Sequence, residues 1–250
     1  MHRASISPTT ALFGAIILLA TAARAAGEGP AECNAYFPLS EGRSWTYREG
    51  PRGGKPRLER LVRITTSSGS PQKRTAVLEQ SVRSPGDPGR ASGMARTSAE
   101  CTGGRILMRV TGTSRGRDGN ETASGSIEAT LPGLPPAHLL EPGYTWSSQS
   151  RIVTRDGDRT FTTEGNIRSR VAGHESISVP AGNFERALKI EAIESLVDRA
   201  DRRSAEQRRI EWYAEGVGLV LRETRVRSGG QEAVSVETLI SYGKSANEVR

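Results

Sequence analysis

Long apolar stretches, histidine, cysteine and lysine are all scarce in this sequence, and each shortage removes a class of protein. Only 35% of the 250 residues are hydrophobic, the mean hydropathy is -0.49, and the one sustained apolar run lies at residues 11–20. A bundle of membrane-spanning helices needs several runs of roughly 20 apolar residues, so that architecture is excluded. Histidine occurs at 2, 138 and 174 only. Structural and catalytic zinc need three or four clustered ligands, and neither HExxH nor CxxC spacing is present. Only four basic residues are lysine, namely Lys55, Lys73, Lys189 and Lys244. The arginines that make up the rest are spread along the chain and interleaved with acids, as in Asp198-Arg199-Ala200-Asp201-Arg202-Arg203. A nucleic-acid reader gathers its basic residues on one stripe. The expectation here is a solvated, self-neutralising surface with no nucleic-acid partner.

The single apolar run has the form of an export signal. Met1-His2-Arg3 is a short basic start, Ala11 to Ala20 is the apolar core, and Ala23-Arg24-Ala25 gives the small-x-small pattern at which a leader is cut. The expected arrangement is a signal peptide over 1–25 and one β-rich domain over 26–250, working in the periplasm or outside the cell, with no transmembrane span in the mature chain. Removing Arg3 and Arg24 lowers the formal charge from +7 to a mild +5. Pro30-Ala31-Glu32 before Cys33 is the wrong approach for lipid attachment. Cys33 and Cys101 are instead expected to form one structural disulfide, as an even cysteine count in an oxidising compartment favours.

Along the domain the hydrophobic period is two. Arg60-Leu61-Val62-Arg63-Ile64, Thr75 to Arg83, Arg105 to Val110, Ser126 to Leu131 and Arg151 to Thr154 alternate polar with branched residues. Glycine-rich turns such as Gly103-Gly104 and Asp156-Gly157-Asp158 separate them. Turns every eight to twelve residues predict an all-β fold with a strongly curved, mostly antiparallel sheet, either an open half-barrel or a sandwich. Residues 184–206 carry two patterns. Phe184, Leu188, Ala192 and Leu196 suit a helix, whereas Leu188, Ile190 and Ala192 alternate and Asp198 to Arg203 suits a hairpin loop; two strands are the reading taken. Gly216-Val217-Gly218 precedes a strand rather than a helix, so a hairpin turn is expected there and not a phosphate loop.

A device recurs once. Leu39-x-x-Gly42-x-x-Trp45 returns as Leu140-x-x-Gly143-x-x-Trp146, each copy a turn followed by a strand that opens on a large aromatic anchor. Two half-repeats, about 36–135 and 136–242, are the arrangement this suggests. Trp45, Trp146 and Trp212 are expected to anchor the core, or in part to line a cavity on the concave face of the sheet.

The same residues carry a resemblance. The stretch Pro38-Leu39-Ser40-Glu41-Gly42-Arg43-Ser44-Trp45-Thr46-Tyr47 is joined by Pro180-Ala181-Gly182-Asn183-Phe184 and by Trp212-Tyr213-Ala214-Glu215-Gly216-Val217-Gly218-Leu219-Val220. Together they resemble a family of bacterial envelope proteins of unknown function, marked by PLxxGxxWxY, PAGxF and WxAxGVGLV elements in that order. Glu215 departs from the family's usual Pro or Ser. The resemblance implies an extracytoplasmic, strand-rich domain akin to periplasmic carriers with a curved sheet, and no known reaction.

No catalytic residue, metal site or cofactor is assigned. His138 and His174 read as turn residues, Asn120-Glu121-Thr122 as an unused glycosylation sequon, and dispersed acidic pairs such as Glu141 with Asp156 as uninformative alone. The functional expectation is a non-enzymatic binding or carrier-like envelope protein whose ligand, a lipid or similar molecule, is apolar or amphipathic. Behind it stand an assembly protein that pairs with an envelope partner through exposed edge strands, and then a hydrolase using dispersed carboxylates.

Overall fold

The structure is a computed structural model and describes residues 32–85, 91–114, 125–156, 158–198 and 204–244. The expected signal peptide over 1–25 and the sequon at 120–122 lie outside these residues. Twelve strands follow in order: β1 (Arg43–Pro51), β2 (Leu58–Gly69), β3 (Lys73–Arg83), β4 (Ala91–Thr102), β5 (Arg105–Ser114), β6 (Gly125–Pro132), β7 (Thr145–Asp156), β8 (Arg159–Val179), β9 (Gly182–Asp198), β10 (Ser204–Ala214), β11 (Gly218–Ser228) and β12 (Gln231–Lys244). Each pairs antiparallel with its sequence neighbours, and β1 also pairs with β12 from Arg43↔Lys244 to Pro51↔Ser235.

The expected curved antiparallel sheet is therefore present, but it is closed rather than left open or split into a sandwich. A twisted sheet of this many strands tends to curl or divide, and closure pairs the two edges that would otherwise stay bare. It leaves the edge-strand reading little to work with beyond the far part of the β8–β9 hairpin. Residues 184–206 fall in the strands β9 and β10, joined through Ser204↔Val197 to Tyr213↔Leu188. Leu188, Ile190, Ala192 and Glu194 are buried, while Glu191, Ile193 and Ser195 are exposed, so the two-residue period prevails over helical spacing. Gly216 and Gly218 form the β10–β11 turn with φ of 71° and 101°, as the hairpin reading requires.

Alternation sorts the barrel into an inner apolar face and an outer polar one. Arg63, Glu79, Arg96, Arg109, Arg151, Arg168 and Glu191 are exposed on the outer side. The outer acid Glu59 is held between Arg48 and Arg83 of the flanking strands, and the Arg83 hydrogen bond, helped by Arg48, keeps its carboxyl below the usual range despite partial desolvation. A membrane-spanning barrel needs the reverse, an outward apolar band about 25 Å tall. Among the described residues no helix is long and apolar enough to cross a membrane either.

An arm preceding β1, Glu32 to Ser40, crosses one end of the barrel and is tied to it at several points. Cys33 is disulfide-bonded to the fully buried Cys101 on β4, across a sequence separation of 68. Asn34, 1% exposed, donates from Nδ2 to the carbonyls of Gly104 and Pro135 at 2.7 and 2.8 Å. Glu32 accepts from the Leu39 N–H and the Ser40 hydroxyl and pairs with Arg74 and Arg43. Gly216 N–H closes the ring of contacts on the Ala35 carbonyl.

Candidate functional site

Twelve strands enclose more space than inward side chains alone fill; eight already suffice for a packed interior. Three things occupy the excess. From the closed end come the arm and the β6–β7 connection, which contribute Phe37, Leu39, Leu134 and Leu140 to the core. Across the middle runs a belt of polar side chains. Between and beside them lie two cavities.

The belt is built by strand register. Tyr47↔Arg60, Leu78↔Thr97, Glu211↔Arg222 and Arg222↔Glu237 are direct cross-strand partners, and such partners share a face with Cβ atoms about 5 Å apart. Gln80 donates to Thr97 Oγ1 at 2.9 Å and accepts from Arg60 Nη1 at 3.1 Å. Arg60 Nε donates to Glu237 Oε1 at 2.8 Å, while Glu237 Oε2 accepts from Arg222 Nη1 at 3.1 Å. Arg222 Nε donates to Glu211 Oε1 at 2.8 Å, and Tyr213 donates to Glu211 Oε2 at 3.1 Å. Further round, Ser150 donates to Glu194 Oε1 at 2.6 Å, with Arg209 3.6 Å from Glu194 Oε2.

Three arginines therefore meet three glutamates inside the barrel. A buried charge is tolerated only when paired and hydrogen-bonded; Arg60, Arg222, Glu211 and Glu237 meet both conditions, while Arg209 is ion-paired with Glu194. Desolvation raises the Glu211 carboxyl, but the Arg222 and Arg209 charges and the hydrogen bonds from Arg222 and Tyr213 outweigh it and hold it below the usual range. Arg222 is held above its ordinary value by Glu211 and Glu237 against its own desolvation. Burial pushes the phenols of Tyr47 and Tyr213 upward.

The larger lobe, about 320 Å³, lies between Trp45, Tyr47, Val62, Leu78, Met108, Val110, Leu131 and Leu219, with Phe37 and Pro38 of the arm, and touches the belt at Arg60, Gln80, Thr97 and Arg222. The smaller, about 180 Å³, is lined by Trp146, Ser148, Ile167, Ser169, Ala192, Glu194, Arg209 and Glu211, among others. Phe37, Met108, Leu131, Tyr213 and Arg222 border both. The larger lobe sits at the lower end of the ~300–1,000 Å³ typical of ligand pockets.

The tryptophans divide between the two expected roles. Trp45 lines the larger lobe and donates its Nε1–H to the Val217 carbonyl at 2.7 Å; Trp146 lines the smaller and stacks on Tyr144 at 5.8 Å. Trp212 faces away from the lumen, donating to Glu175 Oε2 at 3.0 Å beneath Lys189. Glu175 is kept below the usual carboxylate range by the Lys189 and Trp212 hydrogen bonds.

Other candidates are not brought together. Glu141 precedes β7 and Asp156 ends it, so a whole strand, roughly 35–40 Å, separates the pair. His138 is exposed in a short 3-10 turn (Ala137–Leu139), and His174 borders a surface groove with Tyr36, Arg186 and Glu215. The chain carries the spacing of a nucleophile elbow at Gly112-Thr113-Ser114-Arg115-Gly116, but its described part, Gly112 to Ser114, is the end of β5 paired with β4 and β6. An elbow needs a strand that turns sharply into a helix. Among the described residues no group of three or more His, Cys, Asp or Glu could hold a metal ion.

The residues behind the family resemblance converge at the closed end. Trp45 and Arg43 of the first element bond Val217 and Gly216 of the third, while Ala181 of the second donates to the Leu239 carbonyl on β12. A family model described as DUF3108-like matches residues 40–236. The chain belongs to the DUF3108-like family. This is a family of unknown function, in keeping with the resemblance read from the sequence. The elements that mark it lock the arm and the barrel mouth together.

Two crystal structures share the fold of this DUF3108-like barrel. One is an inferred lipoprotein from Parabacteroides distasonis, with a TM-score of 0.61 and 17% identity over 85% of this chain and 100% of that one. The other is an inferred exported protein with a YmcC-like fold from Bacteroides fragilis, with a TM-score of 0.62 and 18% identity over the same shares. No curated protein matches the chain.

Proposed function

We propose that this DUF3108-like protein is an extracytoplasmic, non-enzymatic binding or carrier protein that holds an apolar or amphipathic ligand inside its barrel. The observation that carries the reading is the larger lobe, an apolar chamber walled by eight strands and roofed by Phe37 and Pro38. Burying apolar ligand surface there would contribute about 25 cal/mol per Å². The disulfide and the naming of both structural neighbours as exported or lipid-anchored proteins support a place outside the cytoplasm. The mutual pairing of the interior arginines and glutamates supports binding over turnover, since groups so committed are not free to act as base or nucleophile.

Native mass spectrometry of protein recovered from the periplasm, before and after solvent extraction, tests this. Extra mass that leaves with the solvent, and is lost from a Leu78→Trp variant that fills the larger lobe, is the expected result. A clean polypeptide mass from gently prepared protein, unchanged by extraction, would sink the proposal.

A further inference from the structure

The two lobes differ in one respect that bears on what fits them. Among the described residues, Ser148 Oγ and Arg209 Nε are buried polar atoms without a hydrogen-bond partner in the protein, and both belong to residues that line the smaller lobe. Buried polar groups are satisfied in the great majority of cases, so two unsatisfied donors at one cavity call for an explanation. Register shows why the cavity is there. Trp146↔Ser169, Ser169↔Ala192 and Ala192↔Arg209 form one inward row across β7, β8, β9 and β10. The two small residues in the middle leave a hollow between the long outer ones. Ser148↔Ile167 and Ile167↔Glu194 form the adjacent inward row, which places Ser148 among the residues lining the same hollow.

Both unpartnered groups can donate, and the carboxylates of Glu194 and Glu211 line the same lobe. An anion entering it would meet two like charges in a poorly screened interior, while the Arg209 charge is already shared with them. A pure hydrocarbon would leave both donors unsatisfied. A neutral acceptor suits the lobe on both counts.

We propose that the smaller lobe is a head-group subsite for an uncharged carbonyl, the ester or amide of an acylated molecule, which accepts from Ser148 Oγ–H and Arg209 Nε–H while its chain passes the Phe37–Met108–Leu131–Tyr213 border into the larger lobe. This rests on the binding reading given above and names its ligand class.

The test uses solvent-extracted full-length mature protein and three probes: methyl laurate, laurate, and the alkane of matching length. Each competes with an anilinonaphthalene fluorophore bound in the barrel. The ester is expected to bind about fivefold tighter than the alkane, close to 1 kcal/mol, the worth of one or two net hydrogen bonds. It is also expected to bind tighter than laurate. Ser148→Ala should abolish the advantage over the alkane and leave alkane affinity unchanged; because that hydroxyl has no partner in the protein, its loss costs the fold little. Equal binding of ester and alkane by the wild-type protein overturns the subsite and leaves the carrier reading standing. Tighter binding of laurate overturns its neutral character. If neither the fluorophore nor any probe is excluded by Leu78→Trp, the carrier reading falls and takes the subsite with it.

Discussion

Gly42 and Gly143 make the same turn at the entrances to β1 and β7. Both have positive φ, 78° and 92°, and each donates its N–H to a carbonyl of the strand that follows in its half, Gly42 to Ile64 on β2 at 3.0 Å and Gly143 to Val171 on β8 at 2.9 Å. Each turn then delivers a tryptophan to the lumen, Trp45 to the larger lobe and Trp146 to the smaller. A residue with a Cβ resists this backbone region by about 1–2 kcal/mol. Nothing lies within 4 Å of a Cβ placed on Gly143, so Gly143→Ala isolates the backbone term. It should lower unfolding stability by about 1 kcal/mol in urea titrations, with the fold and the near-UV spectrum retained. An unchanged midpoint would show that the turn relaxes to negative φ.

The disulfide closes a long loop and fastens the arm. Replacing both Cys33 and Cys101 with alanine should cost about 4 kcal/mol on the loop-entropy account. Reductant should bring the wild-type protein to the variant's stability without moving the variant. If the double variant unfolds at the wild-type midpoint, the remaining bonds of Glu32 and Asn34 are enough to hold the arm.

Stability should fall on the acid side, and Glu211 is one identifiable source. Its carboxyl titrates lower in the folded protein than at its ordinary 4.5. Below that value the unfolded chain binds the proton first, so stability is full above the unfolded pKa and drains away as pH falls through the folded one. Glu211→Gln should flatten the decline of the urea midpoint between about pH 5 and pH 3, while lowering the plateau because Arg222 and Arg209 lose their partner. An unchanged acid slope would assign the decline to other carboxylates, such as Glu59 and Glu175, which are held low in the same way.

Gly165 stands where no side chain fits. A Cβ there would run into Ser150 Oγ and Glu194 Oε1, the two atoms that hydrogen-bond over β8 from the strands on either side. Its φ is not in the left-handed region, so Gly165→Ala acts through contact alone. The variant should lose about 1–3 kcal/mol as a buried carboxylate gives up its hydroxyl donor, and a second change, Ser150→Gly, should recover part of the steric share. Full stability in Gly165→Ala would mean that Glu194 has another position open to it.

Hairpins and strands were legible in the sequence because alternation and glycine turns are local signals, and 184–206 was decided correctly by Leu188, Ile190 and Ala192. Closure was not legible. Nothing local in β1 or β12 announces their pairing, which is set by how far the intervening ten strands curl. The interior arginines were missed for two reasons. Arg60 shares the phase of Val62 and Ile64 and could have been placed inward by counting in twos. Arg222 could not: Trp212 pairs with Leu221 but Tyr213 with Leu219, so Val220 is a bulge and shifts the phase between Leu219 and Arg222. Strict alternation puts Arg222 on the outside, where a chain this rich in arginine raises no question.

The barrel's seam has a consequence for how the chain comes to be made. Every strand but the first and the last finds its partners in the segments synthesised just before and after it, which keeps the search short. β1 and β12 are the exceptions, since each is the other's second partner across more than 180 residues. From the moment β1 forms until the last strand arrives, one side of it presents bare N–H and C=O groups. The slowest step in maturation is then expected to be the meeting of first and last strands, and the interval in which this protein is most exposed to wrong partners is the one before the ring is shut.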